Sequence, residues 1–142
     1  MGVMINPELM KLLETKDNVD VIVDAVNYQL EKFQNVTNTT EGRDWYHELP
    51  KIIKEKFDNY KTDYEKLVII LKQTDEEITG EMKKGYYYWR LIRSACHTYR
   101  NDLLEYDQQL SQEFNLKETT AISNNPVLNQ CIEVLNQRVV ED

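Results

Sequence analysis

The sequence predicts an all-α protein: a compact bundle of four main helices plus a short N-terminal helix, organised around a long antiparallel helical hairpin. Three observations carry that prediction. Only four glycines and three prolines occur in 142 residues, too few for a many-stranded, turn-rich fold. Apolar residues recur at alternating steps of three and four through 53–71 and again through 82–114, which places them on one face of a helix. Proline stands where such runs begin, at Pro7, Pro50 and Pro126, because its fixed φ suits the first helical turn and its missing N–H is an orphan there anyway. A chain of this length buries a core without disulfides or metals, so residues 1–142 are expected to form one domain.

Asn6-Pro7-Glu8 reads as a helix start, with Asn as cap and Glu favoured by the positive end of the helix. A short helix carrying Leu9, Met10, Leu12 and Leu13 should end near Lys16. The next begins at Asp17 or Asn18 and sets Val19, Ile22, Val26, Leu30 and Phe33 on one face. Its local run VDVIVDAV is β-branched and would suit a strand, but the helical phase persists to Phe33 and decides for helix. Residues 35–42, NVTNTTEG, read as a loop. Residues 43–49 make a short helical turn that places Trp45 and Tyr46. Pro50 then opens a helix whose seam is Ile53, Phe57, Tyr60, Tyr64, Leu67 and Leu71.

Thr74-Asp75-Glu76-Glu77 matches the capping box, so a new helix is expected directly after Gln73. Met82, Gly85, Trp89, Ile92, Cys96, Tyr99, Leu103, Tyr106 and Leu110 keep its seam in phase to about 116. So short a connection makes 50–73 and 74–116 antiparallel, an αα-hairpin. A polar stretch over 117–125 precedes a last helix from Pro126, with Val127, Cys131, Leu135 and Val139 on its buried side.

Charge and motif content exclude several functions. Twenty-five acids against 17 bases give −8, which opposes bulk attraction to nucleic acid or anionic membranes. No apolar run approaches the eighteen or so residues of a membrane span, and the N-terminus lacks a basic-then-apolar leader, so a soluble cytoplasmic protein is expected. Cys96 and Cys131 read as reduced, buried small hydrophobes without zinc spacing. Asp44, His47 and Glu48 share a helical face, but one histidine with two carboxylates is a poor donor set for zinc. Cys96 and His97 diverge by about 100° on a helix, which rules out a nucleophile–base pair. No metal and no cofactor are expected, and no catalytic residue is assigned.

One stretch stands out. Residues 83–101, KKGYYYWRLIRSACHTYRN, hold five Lys/Arg, a histidine and no acid. Arg90, Arg93, His97 and Arg100 fall within about an 80° stripe that borders the core seam. One reading pairs the stripe with Asp17, Asp20, Asp24 and Glu31 of the second helix, fixing which helices pack together. The other makes it a binding surface. Tyr86, Tyr87, Tyr88 and Trp89 cover the whole helix circumference, so they cannot all face one core, and aromatics with Arg are the types enriched in interface hot spots. Tyr87, Tyr88, Arg90, Arg93 and Arg100 are therefore the candidate binding residues. The expected function is a non-enzymatic, acidic protein-interaction module (adaptor, inhibitor or immunity-type binder) that engages a protein with a basic surface. Its long seams also favour homo-oligomers.

The segment from Arg90 to Tyr99 has the form R-x6-H-x-Y and resembles the R-x4–6-H signature of HEPN domains, small all-helical folds that include metal-independent ribonucleases. That resemblance implies a dimer whose paired motifs form an RNA cleft, with Arg90 on phosphate, His97 activating the ribose 2′-hydroxyl and Tyr99 beside them. Leu91 departs from the polar residue that usually follows the arginine in that family.

Overall fold

The computed structural model describes residues 4–73, 75–114 and 125–140, and every regular element among them is helical. In order these are α1 (Pro7–Leu12), α2 (Lys16–Asn35), a 3₁₀ turn (Val36–Asn38), α3 (Thr40–Glu48), α4 (Lys51–Leu71), α5 (Asp75–Met82), α6 (Tyr87–Phe114) and α7 (Pro126–Arg138). The expected Thr74 cap and the linker after Phe114 lie outside the described residues.

Local chemistry explains the boundaries. The Asn6 side-chain oxygen accepts from the Glu8 N–H at 2.9 Å, and Asn125 accepts likewise from Leu128 at 3.1 Å. Each cap precedes a proline, so two of the four orphan N–H groups are removed or satisfied at a stroke. Thr39 accepts from the Gly42 N–H at 3.0 Å, which starts α3 at Thr40 and not at the expected 43. The tight 3₁₀ turn ahead of it needs Gly42: a Cβ there would lie 1.6 Å from the Val36 carbonyl oxygen.

The helix with the most neighbours is α2. It packs closely on α4, α6 and α7, while α7 also packs on α6 and α1. Ile22, Ala25 and Val26 of α2 are fully buried against Leu67 of α4, Trp89, Ile92 and Cys96 of α6, and Leu128 and Leu135 of α7. The expected seams therefore point inward, but they converge on α2 and not on each other. The hairpin reading needs two corrections. Helices α4 and α6 flank α2 and meet through tyrosines: the Tyr64 hydroxyl donates to the Leu91 carbonyl at 3.1 Å, and the Tyr87 hydroxyl donates to Asp63. The expected 74–116 helix is also interrupted at 83–86. Gly85 weakens the helix there, and the Trp89 indole N–H donates to the Met82 carbonyl at 3.0 Å, closing the end of α5 with a side chain.

With 28 residues α6 spans about 42 Å, against about 30 Å for α2 with 20. Its seam accordingly leaves the core partway. Trp89, Ile92 and Cys96 are sealed, Tyr99 and Leu103 are half-buried, and Tyr106 and Phe114 are 51% and 64% exposed.

Where α2 and α6 part company, a polar cluster holds them. Asp102 accepts from Lys32 at 2.7 Å and from the Tyr28 hydroxyl at 2.5 Å. Burial pulls the Asp102 carboxyl upward, but hydrogen bonds from Lys32 and Tyr28 and the Lys32 charge outweigh it and hold it below the usual range. A depressed carboxylate contributes stability above its unfolded pKa that is lost as pH falls through the folded one. Urea midpoints taken from pH 7 down to pH 3 should therefore fall less for Asp102→Asn than for the parent chain, and equal slopes would dismiss the cluster as a stabilising element.

Candidate functional site

Because α4 and α6 both lie on α2 without close backbone approach, a groove runs between them. Its volume is about 520 Å³, with Gln29 and Phe33 of α2 beneath, Tyr60 and Tyr64 of α4 on one side, and Tyr87, Arg90, Leu91 and Ser94 of α6 on the other. Tyr60 and Tyr87 also belong to an adjoining depression of about 450 Å³ with Ile52, Glu55, Lys56, Asn59 and Asp63. The two form one continuous surface. Ile52 is 73% exposed at its rim and Tyr87 is 42% exposed between the two parts.

The groove is aromatic and well supported. Phe33 lies 5.6 Å from the Tyr64 ring and 5.0 Å from Phe57, which in turn meets Trp45 and Tyr46 of α3 edge-on. Such ring pairs contribute about 0.5–1.5 kcal/mol each beyond their buried area. Burial pushes the Tyr64 hydroxyl up to about 12, partly offset by hydrogen bonding with Ser94 and Gln29. Burial, then the hydrogen bond to Asp63, raises Tyr87 as well. Tyr88 is raised by burial and by the charges of Asp63 and Glu81, against the opposing Lys84. All three stay protonated at neutral pH. Their rings can stack, while the Tyr64 and Tyr87 hydroxyl protons are already given to the Leu91 carbonyl and to Asp63.

The structure sorts the candidate binding residues. Tyr87 and Arg90 line the groove. Tyr88 lies beside Tyr87, ring centroids 5.8 Å apart, and is half-buried. Arg93 and Arg100 do not line it. Both are half-buried on the same stripe as His97, and the buried Nε of Arg100 has no hydrogen-bond partner. The stripe was expected to meet the acids of α2. Among the contacts described, Arg90 donates from Nε to the Val140 carbonyl at 2.9 Å, and His97 Nε2 lies 2.5 Å from Asn136 Oδ1 on α7. The Lys32–Asp102 ion pair between α2 and α6 has the opposite polarity, its base on α2 and its acid on α6.

Arg90 and His97 share one face of α6, both toward the α7 end of the chain, but Tyr99 does not join them. Two residues apart on a helix, His97 and Tyr99 point about 160° from each other. The Tyr99 ring stacks 5.2 Å from Tyr28 of α2 while His97 faces α7. Thiol chemistry is disfavoured too: burial drives Cys96 up to about 12, with a smaller contribution from Cys131, and Cys131 itself up to about 11, so neither is a thiolate at neutral pH. Among the described residues no three His, Cys, Asp or Glu side chains are grouped to hold a metal, and no helix is long and apolar enough to cross a membrane.

Sequence reasoning missed Gln29, Phe33, Tyr60, Tyr64, Leu91 and Ser94 as lining residues. Phe33, Tyr60 and Tyr64 sit in apolar seams and read as core. The available signal was the pair of hydroxyls at 60 and 64, since a seam carrying phenols wants a wet edge.

Comparison of the chain with protein families, with curated proteins and with solved structures returns no match.

Proposed function

We propose that the protein is a non-enzymatic helical interaction module whose binding surface is the tyrosine-lined groove between α4 and α6. The continuous surface from Ile52 to Leu91 carries this reading: it offers the exposed Ile52 and the aromatic faces of Tyr60 and Tyr87, with polar groups at its rim, over an aromatic wall. A concave aromatic surface of this kind takes an extended or helical segment of another protein through one or two apolar anchors. The formal charge of −8 favours a partner with a basic surface, since long-range fields steer association. A cytoplasmic adaptor, inhibitor or immunity-type binder has this character. Self-association through the long α6 is the competing use of its exposed length, and light scattering decides it.

The test starts from peptides selected on the folded protein from a displayed random library. The best binder, synthesised with a fluorophore, should lose about tenfold or more in affinity on Tyr87→Ala, with the fold intact by circular dichroism. Unchanged affinity would remove the groove as the site. Labelled single-stranded RNA serves the HEPN-like alternative: the interaction reading expects no cleavage by the parent chain. Metal-free cleavage abolished by His97→Ala would replace it.

A further inference from the structure

The depression that adjoins the groove combines two carboxylates with two phenol faces. Glu55 and Asp63 of α4 line it together with Tyr60 and Tyr87. Among the described residues no Lys, Arg or His forms an ion pair with either acid. Asp63 accepts the Tyr87 hydroxyl, which uses one of a carboxylate's four or so lone-pair sites. Tyr60 is half-buried and Tyr87 is exposed, so both rings border open space. One of them already attracts a cation. Lys56 Nζ lies 5.9 Å from the centroid of the Tyr60 ring, at the outer limit of cation–π contact. Lys56 is exposed and pairs with neither acid, so it is a weakly held occupant that a better-fitting cation can displace.

We propose that this depression is the anchor site for an arginine side chain of the partner segment, its guanidinium laid on Tyr60 in place of Lys56 and forked toward Glu55 and Asp63. The inference rests on the groove reading and specifies what is bound there. An apolar anchor would use Ile52 and the rings but leave two carboxylates desolvated beside it. An anionic anchor would meet both acids directly. Arginine fits better than lysine, because its planar head stacks on a ring while offering paired N–H donors to a carboxylate, and an ammonium is a more strongly hydrated point charge. The place along the surface follows too. Arg90 lines the groove on the far side of Tyr87 and repels a second cation, so the arginine sits over Glu55 and the rest of the segment continues toward Phe33 and Leu91.

The probe is the capped tripeptide acetyl-Leu-Arg-Leu-amide, with lysine and citrulline counterparts, titrated against the full chain by NMR. Citrulline keeps the planar head and removes its charge. The arginine probe should give saturable shifts centred on Glu55, Asn59, Asp63 and Tyr87. The citrulline probe should bind about tenfold more weakly, with the lysine probe between them. Glu55→Gln should weaken the arginine probe about fivefold, and Lys56→Gln, which removes the internal competitor, should tighten it about two- to fivefold. Lys54→Gln makes the same charge change where the lysine lies over Tyr46 instead, and should leave binding unchanged. Equal gains from Lys54→Gln and Lys56→Gln would reduce the effect to bulk attraction and overturn the proposal. So would equal binding of the citrulline probe, or no saturable binding. The groove reading is decided separately. Library-selected peptides that depend on Tyr87 but tolerate citrulline for arginine, or carry no arginine, would keep the groove and refute the anchor. Probe binding that meets each expectation, with selected peptides indifferent to Tyr87→Ala, would keep the guanidinium site and remove the groove as a peptide surface.

Discussion

Trp89→Ala is expected to destabilise the protein by about 3–5 kcal/mol, read as a fall in urea midpoint with an unchanged denaturant slope. Trp89 is fully buried and is among the largest sealed side chains of the core. Two losses add at this position. The cavity left by an indole is too large for its neighbours to fill by relaxation. The Met82 carbonyl also loses its donor at 3.0 Å, at the point where α5 stops and α6 has yet to begin. Trp89→Phe separates the two, because it keeps most of the volume and forfeits the N–H. It should cost less than half as much as the alanine variant. Equal costs would assign the whole effect to the hydrogen bond, and a negligible cost for both would mean that the α5–α6 junction is closed by something else.

Gly42→Ala comes next, at about 1–3 kcal/mol. Alanine ordinarily stabilises a helix relative to glycine, so a loss here opposes propensity. The cause is local: the new methyl would sit 1.6 Å from the Val36 carbonyl oxygen and 3.0 Å from the Thr39 hydroxyl that caps α3. The 3₁₀ turn must open or α3 must swing away from α4. Either movement disturbs Trp45, whose ring packs edge-on against Phe57 at 5.9 Å, and the Tyr46 hydroxyl, which donates to Asp58. A change in Trp45 emission accompanying the loss of stability would follow from this geometry. A stabilised Gly42→Ala protein would contradict it.

Much of the fold was legible because period and punctuation agree. Asn6-Pro7 marks the start of α1, Pro126 that of α7, and the 3-4 spacing of Ile22, Val26 and Leu30 sets the buried face of α2. The break at 83–86 was not legible, for a physical reason. Met82 and Trp89 are seven residues apart and both fully buried, so the seam stays in phase across a gap that is not helical. Only Gly85 marked the interruption, and it was read as a small seam position. The partner of each seam was also hidden. Periodicity says that Tyr64 and Leu67 face inward, but not that they face α2 with α6 beyond it. The groove exists because α4 and α6 are held apart, and no local pattern encodes that spacing. Of the five candidate binding residues picked from the aromatic and basic cluster, Tyr87 and Arg90 line the groove, and Tyr88, Arg93 and Arg100 do not.

One arrangement bears on how the chain reaches its folded state. Leu9 of α1 is fully sealed, and the helix that closely packs on α1 is α7. Glu8 meets Arg138 at 2.9 Å across a separation of 130 residues, and the Tyr86 hydroxyl joins in by accepting from the Asn6 N–H. Contacts of such long range form late, because the loop entropy of everything between them must be overcome first. The native seat of α1 is therefore complete only when both ends of the chain are present, so removing residues 126–142 is expected to leave Leu9 less protected, as hydrogen exchange of α1 would read.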